Sequence, residues 1–231
     1  MPVGIITGAS RGLGRALAEA LAGRGWDLVL DARDARVLAR AARAVAGHGT
    51  RVEALPGDVV DAGHRAALVA AARGMGGADL VVHNASALGA EPLVRLAELP
   101  PAGLRRALEV NTVAALGLVQ EALPALRASA AGTVITVSSD AAVEAYGTWG
   151  GYGASKAALD RLAAVLAVEE PWLRVWAVDP GDMATDLYAA AVPDDDAPRP
   201  APATVVPAIL RLLDERPASG RYGAASLLGA R

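Results

Sequence analysis

Val3-Gly4-Ile5-Ile6-Thr7-Gly8-Ala9-Ser10-Arg11-Gly12-Leu13-Gly14 runs from a short apolar stretch into a glycine-rich turn, and a helical pattern from Leu13 to Arg24 follows. The apolar run is too short for a helix and reads as a buried strand. Glycines at 8, 12 and 14 let the backbone turn tightly and come close to a ligand with no Cβ in the way. The helix that opens there offers free N–H groups and the positive end of its dipole, which suits a pyrophosphate. The spacing is G-x-x-x-G-x-G rather than the commoner dinucleotide spacing G-x-G-x-x-G. A glycine turn kept only for packing is the plainer reading, and the strand-turn-helix setting favours the ligand.

The same alternation continues along the chain. Strand patterns are Asp27 to Leu30, Arg51 to Leu55, Asp79 to Val82, Thr133 to Val137 and Leu173 to Val178. Helical patterns are Ala35 to Ala46, Ala62 to Arg73, Pro101 to Arg127 with a kink expected at Pro124, Tyr152 to Glu169, and Ala203 to Leu213. Tyr222 would open a short last strand. Such alternation predicts an α/β fold: a doubly wound, Rossmann-like parallel sheet between two helical layers, in one domain over residues 1–231. Right-handed crossovers put the strand C-termini on one edge, where ligands bind. The proline- and aspartate-rich run Pro193 to Pro202 breaks the composition. The stretch 183–202 therefore reads as a substrate lid or as a plain solvated loop.

Composition narrows the class of activity. The formal net charge is only -3, which gives no electrostatic footprint for nucleic acid or an anionic membrane. Cysteine is absent, so disulfides, thiolate zinc sites and cysteine nucleophiles are excluded. Three histidines at 48, 64 and 83 show no metal spacing, and no metal site is expected. No long uncharged apolar stretch predicts a membrane span. The Met1 to Thr7 start lacks a basic segment, which argues for a cytoplasmic protein without a secretory signal. Without phenylalanine, the core must rest on Leu, Val and Ala.

The basic residues are 21 Arg and a single Lys, Lys156. It closes Tyr152-Gly153-Ala154-Ser155-Lys156. Residues four apart share a helix face, so phenol and ammonium can point into one cleft. A phenol ordinarily titrates near 10. A neighbouring cation favours the phenolate and suits it to acid/base work. Four tyrosines would place the one lysine four positions after a tyrosine about once in 58 chains.

With these motifs, the sequence resembles the short-chain dehydrogenase/reductase family from Val3 to about Tyr222. The resemblance rests on Thr7 to Gly14, Asp58-Val59, Asn84-Ala85, Asn111, Ser138-Ser139, Tyr152 with Lys156, and Pro180-Gly181, in that order. It implies that Ser139, thirteen before the tyrosine, hydrogen-bonds the substrate oxygen, with Ser138 its near competitor. It implies that Tyr152 is the acid/base and that Lys156 holds the nicotinamide ribose and lowers the tyrosine pKa. Asn111 matches the asparagine that holds a relay water. The cofactor contacts it implies are Gly8, Ser10, Arg11, Gly12, Leu13, Gly14, Asp58, Val59, Asn84, Ala85, Lys156, Pro180, Gly181 and Thr185. The chain departs from the family in His83-Asn84-Ala85-Ser86, where Asn-Asn-Ala-Gly is frequent. Ser86 adds a side chain where glycine lets the cofactor come close, and His83 reads as strand-end packing.

Cofactor choice is read at the end of the second strand, Leu28-Val29-Leu30-Asp31-Ala32-Arg33. The family's acidic position falls about eighteen residues after Gly14, on Ala32. Asp31 is one place early and would face the other way. Arg33 matches the arginine that takes a 2′-phosphate, and Arg11 a second basic contact. The expectation is NADP(H), with NAD(H) possible if the register slips by one. The resemblance further implies a carbonyl or alcohol substrate and a homodimer or homotetramer. A non-catalytic NADP(H) sensor, or an isomerase or dehydratase, could use the same scaffold. Tyr146, Trp149, Met183, Leu187, Tyr188 and residues 88–93 are the candidate pocket walls.

Overall fold

A computed structural model describes residues 1–229. Its strands are β1 (Val3–Ile6), β2 (Asp27–Ala32), β3 (Val52–Pro56), β4 (Leu80–His83), β5 (Thr133–Val137), β6 (Arg174–Asp179) and β7 (Gly220–Gly223). All pair in parallel, in the order β3-β2-β1-β4-β5-β6-β7. β1, β4 and β5 are buried at every position, as central strands covered on both faces must be. The chain reverses its direction of winding between β1 and β4. That switch point opens a crevice beyond the strand C-termini.

The helices are α1 (Gly12–Ala22), α2 (Ala35–Ala46), α3 (Ala62–Gly74), α4 (Pro101–Leu108), α5 (Ala114–Ala128), α6 (Gly150–Glu169), α7 (Asp186–Ala191), α8 (Val206–Glu215) and α9 (Ala224–Leu227). On one face of the sheet, Leu17, Leu21, Ile209 and Leu212 pack over Ile6, Leu30 and Ile135. On the other, Leu68, Leu118, Leu126 and Ala163 pack over Ile5, Val29 and Val134. Aliphatic side chains dominate both layers, as a phenylalanine-free chain requires. Trp176 is the largest fully buried side chain, and its indole N–H donates to Pro217 O and Ala218 O, both at 3.3 Å.

The long helix expected from Pro101 to Arg127 is interrupted, but not at Pro124. A π turn at Glu109–Val113 joins α4 to α5, and α5 runs through Pro124 to Ala128. Pro124 is exposed, so water can satisfy the carbonyl that the proline leaves without a donor. π turns recur at functional sites, and this one carries Asn111. The last long helix starts at Val206, later than Ala203, because a 3₁₀ turn occupies Pro202–Thr204. The final strand opens at Gly220. α7 gave no periodic signal in six residues; Thr185 caps it, accepting from the Tyr188 N–H at 3.2 Å.

Candidate active site

Above the switch point lies a cavity of about 1080 Å³. Its size reaches the upper end of typical ligand pockets, about 300–1,000 Å³. The loop after β1 forms its floor. Gly8 has a φ of +64°, which an L side chain adopts only with strain. A Cβ on Gly14 would lie 2.5 Å from Asn84 Nδ2 and 2.6 Å from Gly8 O. The Asn84 amide fills that space, donating to Thr7 O at 3.0 Å and Gly8 O at 3.1 Å. The Thr7 hydroxyl in turn accepts from the Asn84 and Ala85 N–H groups, both at 3.0 Å. Asn84 therefore ties the β1 and β4 loops together with its side chain and meets the cavity at its edge.

The end of β2 shapes one wall. Asp31 is buried, accepting from His64 Nε2 at 2.7 Å and the Gly8 N–H at 3.4 Å. Burial pushes its carboxyl up, against the hydrogen bond from His64. Ala32 packs with the core on the opposite face. Arg33 is exposed on the cavity rim and has no hydrogen-bonding or ionic partner among the described residues. Arg11 lines the same cavity and pairs with Asp186 of α7. Asp58 also lines it; it accepts from the Val60 N–H at 3.1 Å and pairs with Arg106 at 2.8 Å. Ser10, Gly12, Leu13, Val59, Ala85, Pro180, Gly181 and Thr185 also line it, whereas Gly14, the remaining expected glycine, does not: it packs against Asn84 and Gly8 O.

Ser139, Tyr152 and Lys156 meet on the far wall. α6 presents Tyr152 and Lys156 one turn apart, and the Lys156 Nζ lies 5.4 Å from the tyrosine ring. Nζ donates to Val137 O at 2.7 Å. Burial pulls the ammonium down to about 8, against the opposing pull of Asp160. Burial pushes the Tyr152 phenol up to about 12; hydrogen bonds with Ser86 and Ser139 oppose this, while the Asp140 and Asp179 carboxylates add to it. Ser139 is the serine within reach of the phenol. Ser138 is buried, its hydroxyl 3.5 Å from the Ser139 carbonyl.

Asn111 is fully engaged. Its Oδ1 accepts from the Ala87 N–H at 2.8 Å and the Ser86 hydroxyl at 3.2 Å. Its Nδ2 donates to Ala87 O at 2.9 Å and Ser155 Oγ at 2.8 Å. The side chain clamps the β4 loop to α6. His83 is a buried strand-end residue whose Nε2 lies 3.1 Å from Val110 O, and burial holds it near 3, hence neutral. Trp149, Met183, Leu187, Tyr188 and Leu88 line the cavity, and Trp149 meets Tyr152 edge-on with ring centres 5.6 Å apart. Tyr146 does not line it; it stands 48% exposed. Asp140 and Ser155 were not singled out in the sequence, although one follows the Ser pair and the other sits inside the Tyr-Lys motif.

Residues 2–196 match the sequence profile of the short chain dehydrogenases. The chain belongs to that family. An uncharacterized oxidoreductase of Saccharomyces cerevisiae is 35% identical over 184 residues, 79% of this chain and 71% of that protein. A protein described as a short chain dehydrogenase of Escherichia coli, solved with NADPH, has a TM-score of 0.89 and 29% identity, covering 96% of each chain. An alcohol dehydrogenase of the archaeon Thermococcus sibiricus, solved with 5-hydroxy-NADP, has a TM-score of 0.87 and 27% identity, over 96% of this chain and 95% of that one. The doubly wound sheet of this short chain dehydrogenase is thus that of its structural relatives. Among the described residues, no helix is long and apolar enough to cross a membrane, and no cluster of acidic or histidine side chains could hold a metal ion.

Proposed function

We propose that the protein is an NADP(H)-dependent oxidoreductase that interconverts a small-molecule carbonyl and its alcohol. The observation that carries this is the convergence of Ser139, Tyr152 and Lys156 on the cavity whose floor is the glycine loop. The loop fits a dinucleotide: Gly8, Ser10, Arg11, Gly12 and Leu13 line the cavity, Gly8 and Gly12 hold positive φ angles that a side chain would strain, and α1 starts at that wall. Bound there, the nicotinamide would accept or supply the hydride. Ser139 would hold the substrate oxygen. Tyr152 would give its phenolic proton to that oxygen in reduction and take it back in oxidation. The Lys156 ammonium, with its buried charge, would favour the phenolate and hold the ribose. Asn111 would anchor the loop and helix between which any relay water must sit. NADP(H) is favoured over NAD(H) by the unpartnered Arg33 on the rim and by relatives solved with NADP-type cofactors. Nicotinamide absorbance should change when the protein and NADPH meet a panel of ketones and aldehydes. A panel-wide absence of turnover, with NADPH bound, would point to a sensor.

Residues 183–202 suit the role of a lid. Met183, Leu187 and Tyr188 face the cavity. A cluster of Tyr188, Asp195 and Arg199 ties the segment to itself, with the phenol 2.8 Å from both partners. Assembly as a homodimer or homotetramer, acting in the cytoplasm, completes the proposal. α6 exposes Ala154, Ala157, Ala164 and Val168 at helical spacing, and Val113 and Leu116 are exposed on the π turn and α5. A second copy is the expected cover for these apolar side chains. Sedimentation at micromolar concentration should show a species larger than the monomer; monomer alone would refute assembly.

A further inference from the structure

Ser86, Asn111 and Ser155 form a chain of polar groups that runs from the cavity wall shared with Tyr152 to the backbone of that residue. Ser86 Oγ donates to Asn111 Oδ1 at 3.2 Å, Asn111 Nδ2 donates to Ser155 Oγ at 2.8 Å, and Ser155 Oγ donates to Tyr152 O at 2.6 Å. Ser86 and Ser139 line the cavity with Tyr152. We propose that Ser86 is a positioning residue for the reaction: a second hydroxyl that holds the Tyr152 oxygen and donates to it when it is ionised. The proposal rests on the assignment of Tyr152 as the acid/base.

One hydroxyl has one proton to give. While Tyr152 is neutral, the Ser86 proton goes to Asn111 Oδ1, and a Ser86 lone pair is left to accept from the phenol. When the phenol gives up its proton, the better acceptor is the phenolate, because bonds to an ionised partner are roughly twice as strong. Turning the Ser86 hydroxyl to it leaves nothing orphaned. Asn111 Oδ1 keeps its 2.8 Å bond from the Ala87 N–H. Glycine at this position could not do this.

The other charged groups make such a donor useful. Lys156, on the same helix, favours the phenolate, and its own charge is opposed by burial and supported by Asp160. Asp140 after β5 and Asp179 at the end of β6 oppose ionisation. His83, facing Lys156 from β4, stays neutral. Ser139 is shared: its hydroxyl donates to Asp140 Oδ1 at 3.0 Å, and in the proposed reaction it also serves the substrate. Ser86 has no substrate to serve, and it can give up its bond to Asn111 Oδ1 because the Ala87 N–H still satisfies that oxygen.

Ser86→Ala, Ser86→Gly and Ser86→Thr should be compared with wild type and Tyr152→Phe, using NADP and an alcohol that the wild type oxidises. The apparent pKa of kcat/KM should rise by about one unit or more in the Ala and Gly variants, the worth of a lost bond to a charged group. The Thr variant should keep the wild-type profile. NADPH affinity, read by fluorescence, should change by less than about threefold. An unmoved pKa in the Ala and Gly variants overturns the proposal. So does an NADPH affinity loss without a pKa shift, which would assign Ser86 to the cofactor instead. Full activity in Tyr152→Phe would refute the acid/base assignment itself, and that outcome is distinct from a failure of Ser86 alone.

Discussion

Tyr152→Phe should lower turnover by at least about 10²-fold while leaving NADPH binding close to wild type, the low end for a lost general acid. The ring is buried, edge-on to Trp149, and phenylalanine preserves that packing. What goes is a single oxygen on the cavity wall that Ser86, Ser139 and Lys156 also line. The pH dependence follows from the sign of the shift. Burial raises the phenol to about 12, so it is protonated and ready to donate throughout the neutral range. Reduction should therefore change little with pH as far as this group is concerned. Oxidation needs the phenolate, so its rate should rise with pH until the phenol has ionised. Steady-state rates in both directions, with a parallel NADPH titration, check this. Wild-type turnover in the Phe variant on a good substrate would show that Tyr152 carries no proton.

Much of this site is legible in the sequence because it is local. The Tyr-Lys pair lies within one helical turn, and the glycine loop lies within one strand-helix junction. Patterning likewise places each long element, since buried strands and amphipathic helices advertise themselves by period. What the sequence hides is non-local. Nothing in Val110-Asn111-Thr112 announces a π turn, and proline at 124 draws attention to a bend that the exposed helix face makes unnecessary. The engagement of Asn111 with Ala87 and Ser155 joins three separate parts of the chain. α7 is too short for a periodic signal, and its contact with Arg11 links residues 175 positions apart. Ser86 stands out in the sequence only as a departure from glycine; its bond to Asn111, on the cavity wall that Tyr152 shares, needs the fold.

Arg33→Ala should weaken NADP binding by about tenfold or more and leave NAD binding nearly unchanged, as for loss of one charge-assisted contact. The end of β2 makes the argument. An acidic side chain there would accept from the ribose hydroxyls and repel a 2′-phosphate. The acid that is present, Asp31, does not face away as its register suggests: it lines the cavity, but it is buried and committed to His64 and Gly8. Ala32, the next residue on the cavity wall, carries no charge. Arg33 stands beside it with a planar fork suited to phosphate and no competing partner among the described residues. Arg11 must first give up Asp186, so Arg11→Ala should cost less than Arg33→Ala. Ala32→Asp should go further than either, because it sets an anion beside the phosphate and an acceptor beside the free hydroxyls. Dissociation constants for both cofactors, in wild type and all three variants, decide between this arrangement and a strand slipped by one residue. In the slipped strand, Asp31 would govern the ribose, the wild type would bind NAD more tightly than NADP, and neither arginine would matter.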